Sequence, residues 1–172
     1  MIMSALDKLD KKTLRDLLNK GWMTHDAMWF ATSVSIIGIE KTNVINRRAC
    51  RSMAKVEAKR LKTSLGFNDG IKDFVSLRKF IDQAFDIIGG DFLNFKITFP
   101  RDNVMLWETV SCFAHDGVKK LGFIDSYDCG IFDRVEGWFE TLEIRFNVSP
   151  EIPGCLMYKT RQCMREYRFY FD

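Results

Sequence analysis

The stretch Leu93-Asn94-Phe95-Lys96-Ile97-Thr98-Phe99 marks the point where the chain changes from one secondary structure to another. Its apolar residues occupy alternate positions, which is the pattern of a strand with one buried face. The turn residues Pro100-Arg101-Asp102-Asn103 follow directly, and Val104 to Ser111 supplies a hairpin partner. The stretch therefore predicts the start of an antiparallel sheet.

On the N-terminal side of this point, apolar residues recur at helical spacing. We expect four helices: Leu6 to Asn19 with Gly21 as its stop, His25 to Ile37 with Thr24 as N-cap, Thr42 or Asn43 to just before Gly66, and Ile71 to about Ile88. After His25 and Asp26, the second helix continues with residues from Ala27 to Ile39 that are apolar or small on every side. This pattern predicts that the second helix is buried all round.

On the C-terminal side, Asp133 to Thr141 has the spacing of a short helix. Further strands are predicted around Ile144 to Val148, at Cys155 to Thr160 and at Met164 to Phe171. The sequence thus predicts one α+β domain over residues 1–172, with about four N-terminal helices packed on an antiparallel sheet of about five strands with one short helix. The helical part would cover about 5–88 and the sheet part about 92–171.

Composition and charge limit the cellular setting. The longest apolar run, Ala27 to Ile39, is shorter than the roughly 20 residues of a membrane span, and no signal peptide is visible. An odd number of cysteines, 5, favours reduced thiols and a cytoplasmic location. Eight Lys and Arg residues lie between Lys41 and Lys62, and seven of them share one helical side. We interpret them as a solvated helix face, and nucleic acid is not an expected partner.

A polar pair at the start of the second predicted helix is the first candidate site. His25 and Asp26 stand at the head of an apolar segment, where ionisable groups need partners. On the third predicted helix, Arg60 projects toward the apolar side formed by Ile45, Ala49, Met53 and Val56, with Glu57 on its flank. A structural Glu57–Arg60 ion pair is one interpretation. In the functional one, His25, Asp26 and Glu57 act in catalysis, while Arg60 holds a ligand carboxylate.

Cysteines form the second candidate site. The C-x-x-H spacing of Cys112 and His115, with Cys129, Cys155 and Cys163 downstream, offers ligands that zinc accepts. The alternative is that these thiols are small buried hydrophobes. Tyr158 carries a polar tip suited to lining a pocket, and we add Trp29 to the expected ligand-binding residues.

The motif Trp22-x-x-His25-Asp26-x-x-Trp29-Phe30, the segment Val56-Glu57-Ala-Lys-Arg60 and the late cysteines resemble an uncharacterised family of small prokaryotic cytosolic proteins. That family is distantly similar to L-2-amino-thiazoline-4-carboxylate hydrolase-like proteins. The likeness covers nearly the whole chain. Two positions differ: the family commonly has His-Asp-Gly where this chain has His25-Asp26-Ala27, and it tends to have Gln near the position of His115. It implies opening of a cyclic C=N bond by water, which His25 or Glu57 would activate while Arg60 holds the substrate. The order of helices and sheet also resembles small-ligand domains related to 4-vinyl reductase.

Two functions follow from these observations. The first is binding of a small anionic ligand or a metal ion in a polar pocket between helices and sheet. The second is hydrolysis of a small molecule of the thiazoline type. The protein could act as a monomer, and a homodimer is the alternative assembly.

Overall fold

A computed structural model describes residues 4–90 and 94–171. Six helices are found there: α1 (Lys11–Ile37), α2 (Ile39–Ser64), α3 (Phe74–Ile88), α4 (Phe113–Lys120), α5 (Ile131–Thr141) and α6 (Leu156–Thr160). The strands are β1 (Asn94–Arg101), β2 (Val104–Ser111), β3 (Arg145–Ser149) and β4 (Cys163–Tyr170). Short 3-10 helices cover Ala5–Lys8 and Ile124–Ser126. The predicted α+β class is confirmed. Leu93, which we expected in the first strand, lies outside the described residues.

The sheet has four strands in the order β1-β2-β4-β3, and every neighbouring pair is antiparallel. The prediction of about five strands is wrong because Cys155 to Thr160 is not a strand. Both edges of β4 are already hydrogen-bonded, to β2 and to β3. The segment instead forms α6, in which the Lys159 amide donates to the Cys155 carbonyl at 3.0 Å. The helix α4 was not predicted.

The first two predicted helices form one continuous helix, so the described N-terminal half has three α-helices where about four were predicted. Gly21 does not end a helix, and Thr24 is not an N-cap, because α1 runs through both. The Thr24 hydroxyl donates to the Lys20 carbonyl at 2.8 Å, as it does in a helix interior. The chain turns at Gly38, whose φ of 81° is accessible to glycine at little cost, and α2 begins directly after it.

The expectation that the second helix is buried all round is also wrong. Phe30 and Val34 are buried, whereas Met28 and Ile36 are exposed. The buried side chains pack with Val118, Ile124 and Tyr127, residues of or near α4. One face of α1 thus holds the helix on the domain, and the opposite apolar face is uncovered.

The main core lies between the helices and the sheet. Its largest buried side chains come from α3, α5 and β4 and include Phe80, Trp138, Phe139, Tyr167 and Phe169. The helices α2 and α5 approach closely because Gly137 has no side chain: a Cβ there would lie 2.8 Å from the Ala54 Cβ. Within the described residues, no helix combines the length and apolar composition that a membrane crossing requires.

Ion pairs hold α2 against α5. Asp133 is buried, and its carboxylate accepts from Arg47 Nε at 2.7 Å and from Arg51 Nη1 at 3.2 Å. Arg51 also pairs with Glu140. Arg47 and Arg51, which we predicted to belong to a solvated helix face, therefore have a structural role. They fix the position of α5 against α2.

Candidate ligand-binding cavity

A cavity of about 590 Å³ lies between α1 and α2 on one side and the sheet with α4 and α6 on the other. Its volume falls within the roughly 300–1,000 Å³ typical of small-molecule sites. The lining is mainly apolar, and Phe95 stacks on Trp107 with ring centroids 4.6 Å apart in its wall. The sequence predicted a polar pocket, and the cavity is mostly apolar because aromatic residues of β1, β2 and α3 form much of it.

Exposed residues mark the mouth of the cavity. Trp22, His25 and Trp29 of α1 line the cavity and are exposed, as is Phe113 on the opposite side. Tyr127, Cys155 and Cys163 line it and are buried. The cavity thus opens beside α1 and is closed at its inner end by residues of the loops around α5 and α6 and of β4.

Glu57 is part of an ion pair in the cavity wall, with Arg134 of α5. The Glu57 carboxylate accepts from Arg134 Nε at 2.8 Å and Nη2 at 2.5 Å, and from Trp138 Nε1 at 2.9 Å. The Arg134 guanidinium lies over the Trp22 ring, 5.2 Å from its centroid. Three donors occupy the carboxylate, so Glu57 positions Arg134 and Trp138 and is not a free base. The predicted Glu57–Arg60 pair does not form.

Asp26 is an acidic residue of α1 at the cavity. It is half-buried and lines the cavity beside His25. Burial raises the pKa of the Asp26 carboxyl, while His25 and Arg134 act in the opposite direction. A carboxyl with a raised pKa in a cavity is a common property of functional sites, although structural groups show it as well.

Tyr127 closes the inner end of the cavity with an unused hydroxyl. The residue is 6% exposed, and its ring packs edge-on against Phe30. No hydrogen bond to its hydroxyl is found in the described part of the chain. Tyr127 is one of the residues that line the cavity, and burial, together with the nearby thiols of Cys129 and Cys112, raises the pKa of its hydroxyl. A buried hydroxyl normally has a partner, so this one is available to a ligand.

All five cysteines line this cavity: Cys50, Cys112, Cys129, Cys155 and Cys163. Burial raises the pKa of Cys50 to about 11 and raises the pKa of Cys129, Cys155 and Cys163. Buried protonated thiols are poor nucleophiles and poor metal ligands. These four thiols therefore act chiefly as part of the apolar lining.

Metal ligation is not preformed. The Cys112 sulfur accepts from the His115 amide at 3.5 Å and so caps α4, while His115 Nδ1 lies 2.9 Å from Asp116 Oδ1. Across residues 4–90 and 94–171, no three His, Cys, Asp or Glu side chains are placed to hold a metal ion. The C-x-x-H spacing is thus explained by a helix start.

The cavity brings together most residues that the sequence singled out. It is lined by His25, Asp26, Trp29, Glu57, Cys112, His115, Cys129, Cys155 and Cys163. Arg60 and Tyr158 are not among its lining residues. Arg60 is exposed because the buried side of α2 is formed by residues such as Ala54, Ala58 and Leu61, not by Val56. The Tyr158 hydroxyl donates to Asp125.

Sequence reasoning missed Arg134, Tyr127 and Trp107. Arg134 stands four residues before Trp138 on the helix that was predicted there, so helical spacing already placed the two side chains together. No local pattern distinguishes Tyr127 or Trp107 from ordinary core aromatics.

The family model of DUF6125, a family of unknown function, matches residues 6–147. The chain belongs to this family. The match confirms the expectation of an uncharacterised family. No curated protein matches the chain, and no solved structure matches it.

Proposed function

We propose that this DUF6125 protein binds a small, largely apolar and uncharged molecule in the cavity beside α1. The observation that carries the proposal is the cavity itself, which has ligand-sized volume, an apolar wall and the unpartnered Tyr127 hydroxyl at its inner end. Such a combination of apolar surface and few polar groups is what small-molecule sites use for affinity and orientation.

Charge favours an uncharged ligand over the anionic one that the sequence suggested. Arg60, which was to hold a carboxylate, is exposed and does not line the cavity. Arg134 does line it, but its guanidinium is paired with Glu57. An anion would also meet the Asp26 carboxylate, whose ionised form burial already disfavours. A hydrogen-bond acceptor near Tyr127 and a donor near Asp26 are the polar features that such a ligand would use.

A titration with the neutral aromatic dye 1-N-phenylnaphthylamine tests the proposal. Trp22, Trp29 and Trp107 line the cavity, so binding should quench tryptophan fluorescence while dye emission rises and saturates at one dye per chain. Ala114→Phe fills space in the lining and should weaken binding at least tenfold. Ala31→Phe is the control, since Ala31 is also half-buried but does not line the cavity. Equal affinities for the two variants, or no saturable binding, would overturn the proposal.

Hydrolysis of a thiazoline-type ring is the second candidate, favoured by Asp26 beside His25 in the cavity. A carboxyl with a raised pKa can exchange protons with a substrate nitrogen while water adds to the C=N carbon. The test is incubation with L-2-amino-thiazoline-4-carboxylate and detection of the product that has gained one water. Loss of turnover in Asp26→Asn with dye binding retained would support it, and absence of product with the wild type would exclude it.

A further inference from the structure

The uncovered face of α1 is the strongest feature that ligand binding leaves unexplained. Leu18, Trp22, His25, Trp29 and Ile36 are separated by four, three, four and seven residues, a spacing that keeps side chains on one helical face. Leu17 and Met28 flank this row. All seven residues are exposed, Ile36 at 75%, and six of them are apolar. We call these seven residues the α1 face.

We infer that the α1 face is the contact surface for a second copy of this chain, which pairs α1 with α1 in antiparallel orientation across a two-fold axis. Two-fold pairing is the commonest way in which a chain covers such a surface, because the same patch serves both partners.

The area of the α1 face suits this occupant. Two tryptophans and four aliphatic or methionine side chains, most of them more than half exposed, present several hundred Å² of apolar surface. A standard stable interface buries about 800 Å² on each partner. The face supplies a large part of that area from one helix.

The charges of α1 favour the antiparallel orientation. Four Lys or Arg and two Asp residues lie between Lys11 and Asp26, and none lies from Ala27 to Ile39. In an antiparallel pair, the cationic half of each helix lies beside the uncharged half of the other. A parallel pair would instead place the two cationic halves side by side, which is unfavourable.

The pairing also completes the mouth of the cavity. Trp22, His25 and Trp29 belong both to the α1 face and to the cavity lining. The partner's α1 would therefore cover this edge of the mouth and limit access to the cavity. The inference does not depend on the proposed function, since the face needs cover whether or not a ligand binds.

Sedimentation velocity of the purified full chain across a micromolar concentration series tests the inference. We expect a dimer of twice the 20.1 kDa chain mass. Ile36→Lys and, separately, Met28→Lys should raise the dimer dissociation constant at least tenfold, because each places two charges in one interface. Val75→Lys is the matched control: Val75 is 77% exposed but lies on α3, so this variant should remain dimeric.

Circular dichroism checks that each variant is folded, and two variants at separate positions guard against the failure of one. A wild-type chain that stays monomeric throughout the series overturns the inference. A dimer that both α1 variants leave intact, an open series of higher oligomers, or a monomer that binds lipid vesicles through this face also overturns it.

Discussion

Arg134 of α5 and Glu57 of α2 form a two-bond ion pair in the cavity wall, with Nε–Oε2 and Nη2–Oε1 distances of 2.8 and 2.5 Å. Both side chains are largely shielded from water, and Trp138 donates a further hydrogen bond to the same carboxylate. The pair fixes the wall against which a ligand would lie.

Removing the charge of Glu57 should therefore destabilise the protein. Glu57→Gln leaves Arg134 shielded without its counter-ion, and we expect the free energy of unfolding to fall by about 2–3 kcal/mol in urea denaturation. Glu40→Gln, at an exposed position of the same helix, is the control and should cost less than about 1 kcal/mol. Equal effects of the two substitutions would show that the pair has no structural weight.

Asp26 makes the stability of the folded protein depend on pH, and Asp26→Asn should remove this dependence. Its pKa is raised in the folded state, so the native chain holds the proton more tightly than the unfolded chain, whose carboxyl has a pKa of about 3.9. Stability is therefore lost as the pH rises from that value through the raised pKa. Asp26→Asn should raise the melting temperature at pH 7 by up to about 3 °C, with a gain that vanishes in acid. The exposed Asp69→Asn should show no such trend, and a gain for Asp26→Asn that persists in acid would contradict the assignment.

Gly137 should tolerate no side chain. Its Cβ would lie 2.8 Å from the Ala54 Cβ, between two helices that ion pairs hold together. Gly137→Ala should lower the free energy of unfolding by about 1–3 kcal/mol. Gly117→Ala is the opposite case, because nothing lies within 4 Å of its Cβ in α4, and we expect a gain of about 0.5–1 kcal/mol. Chemical denaturation measures the free energy of unfolding of both variants. A loss of similar size for both would contradict this prediction.

The cavity thiols should react slowly. A pKa of about 11 leaves Cys50 about one hundredth of the thiolate that its ordinary value of 9.0 gives. Labelling with Ellman's reagent at neutral pH, followed by peptide mass spectrometry, should find Cys50 at least tenfold slower than a cysteine introduced by Ser52→Cys at an exposed position of the same helix. Comparable rates at the two positions would mean that the cavity wall opens readily.

The fold class was predictable because helical spacing dominates before residue 93, whereas alternation typical of strands appears only after it. Residues Phe95 to Phe99 and Phe146 to Val148 lie in strands, as the alternation of their apolar side chains predicted, whereas Ile144 lies just before β3. The continuity of α1 was not predictable, since Gly21 and Thr24 are local stop and start signals that packing overrides. The segment that forms α6 could not be recognised as helical, because both edges of β4 are hydrogen-bonded, to β2 and to β3, only in the assembled sheet.

The candidate site was predictable in part. His25, Asp26 and Glu57 were chosen because charged groups beside apolar helix faces need partners, and the structure places all three at one cavity. Glu57 pairs with Arg134, 77 residues away, rather than with Arg60 on its own helix. A pairing over that distance leaves no local signal, and neither does the unpartnered Tyr127 hydroxyl.

A crystal structure of the protein with 1-N-phenylnaphthylamine shows directly whether this cavity binds a small molecule. We expect dye density inside the cavity, in contact with Trp107 and Tyr127 and with the Glu57–Arg134 pair intact. Density on the outer surface alone, or a cavity closed by its own side chains, would contradict the assignment of this cavity as a binding site.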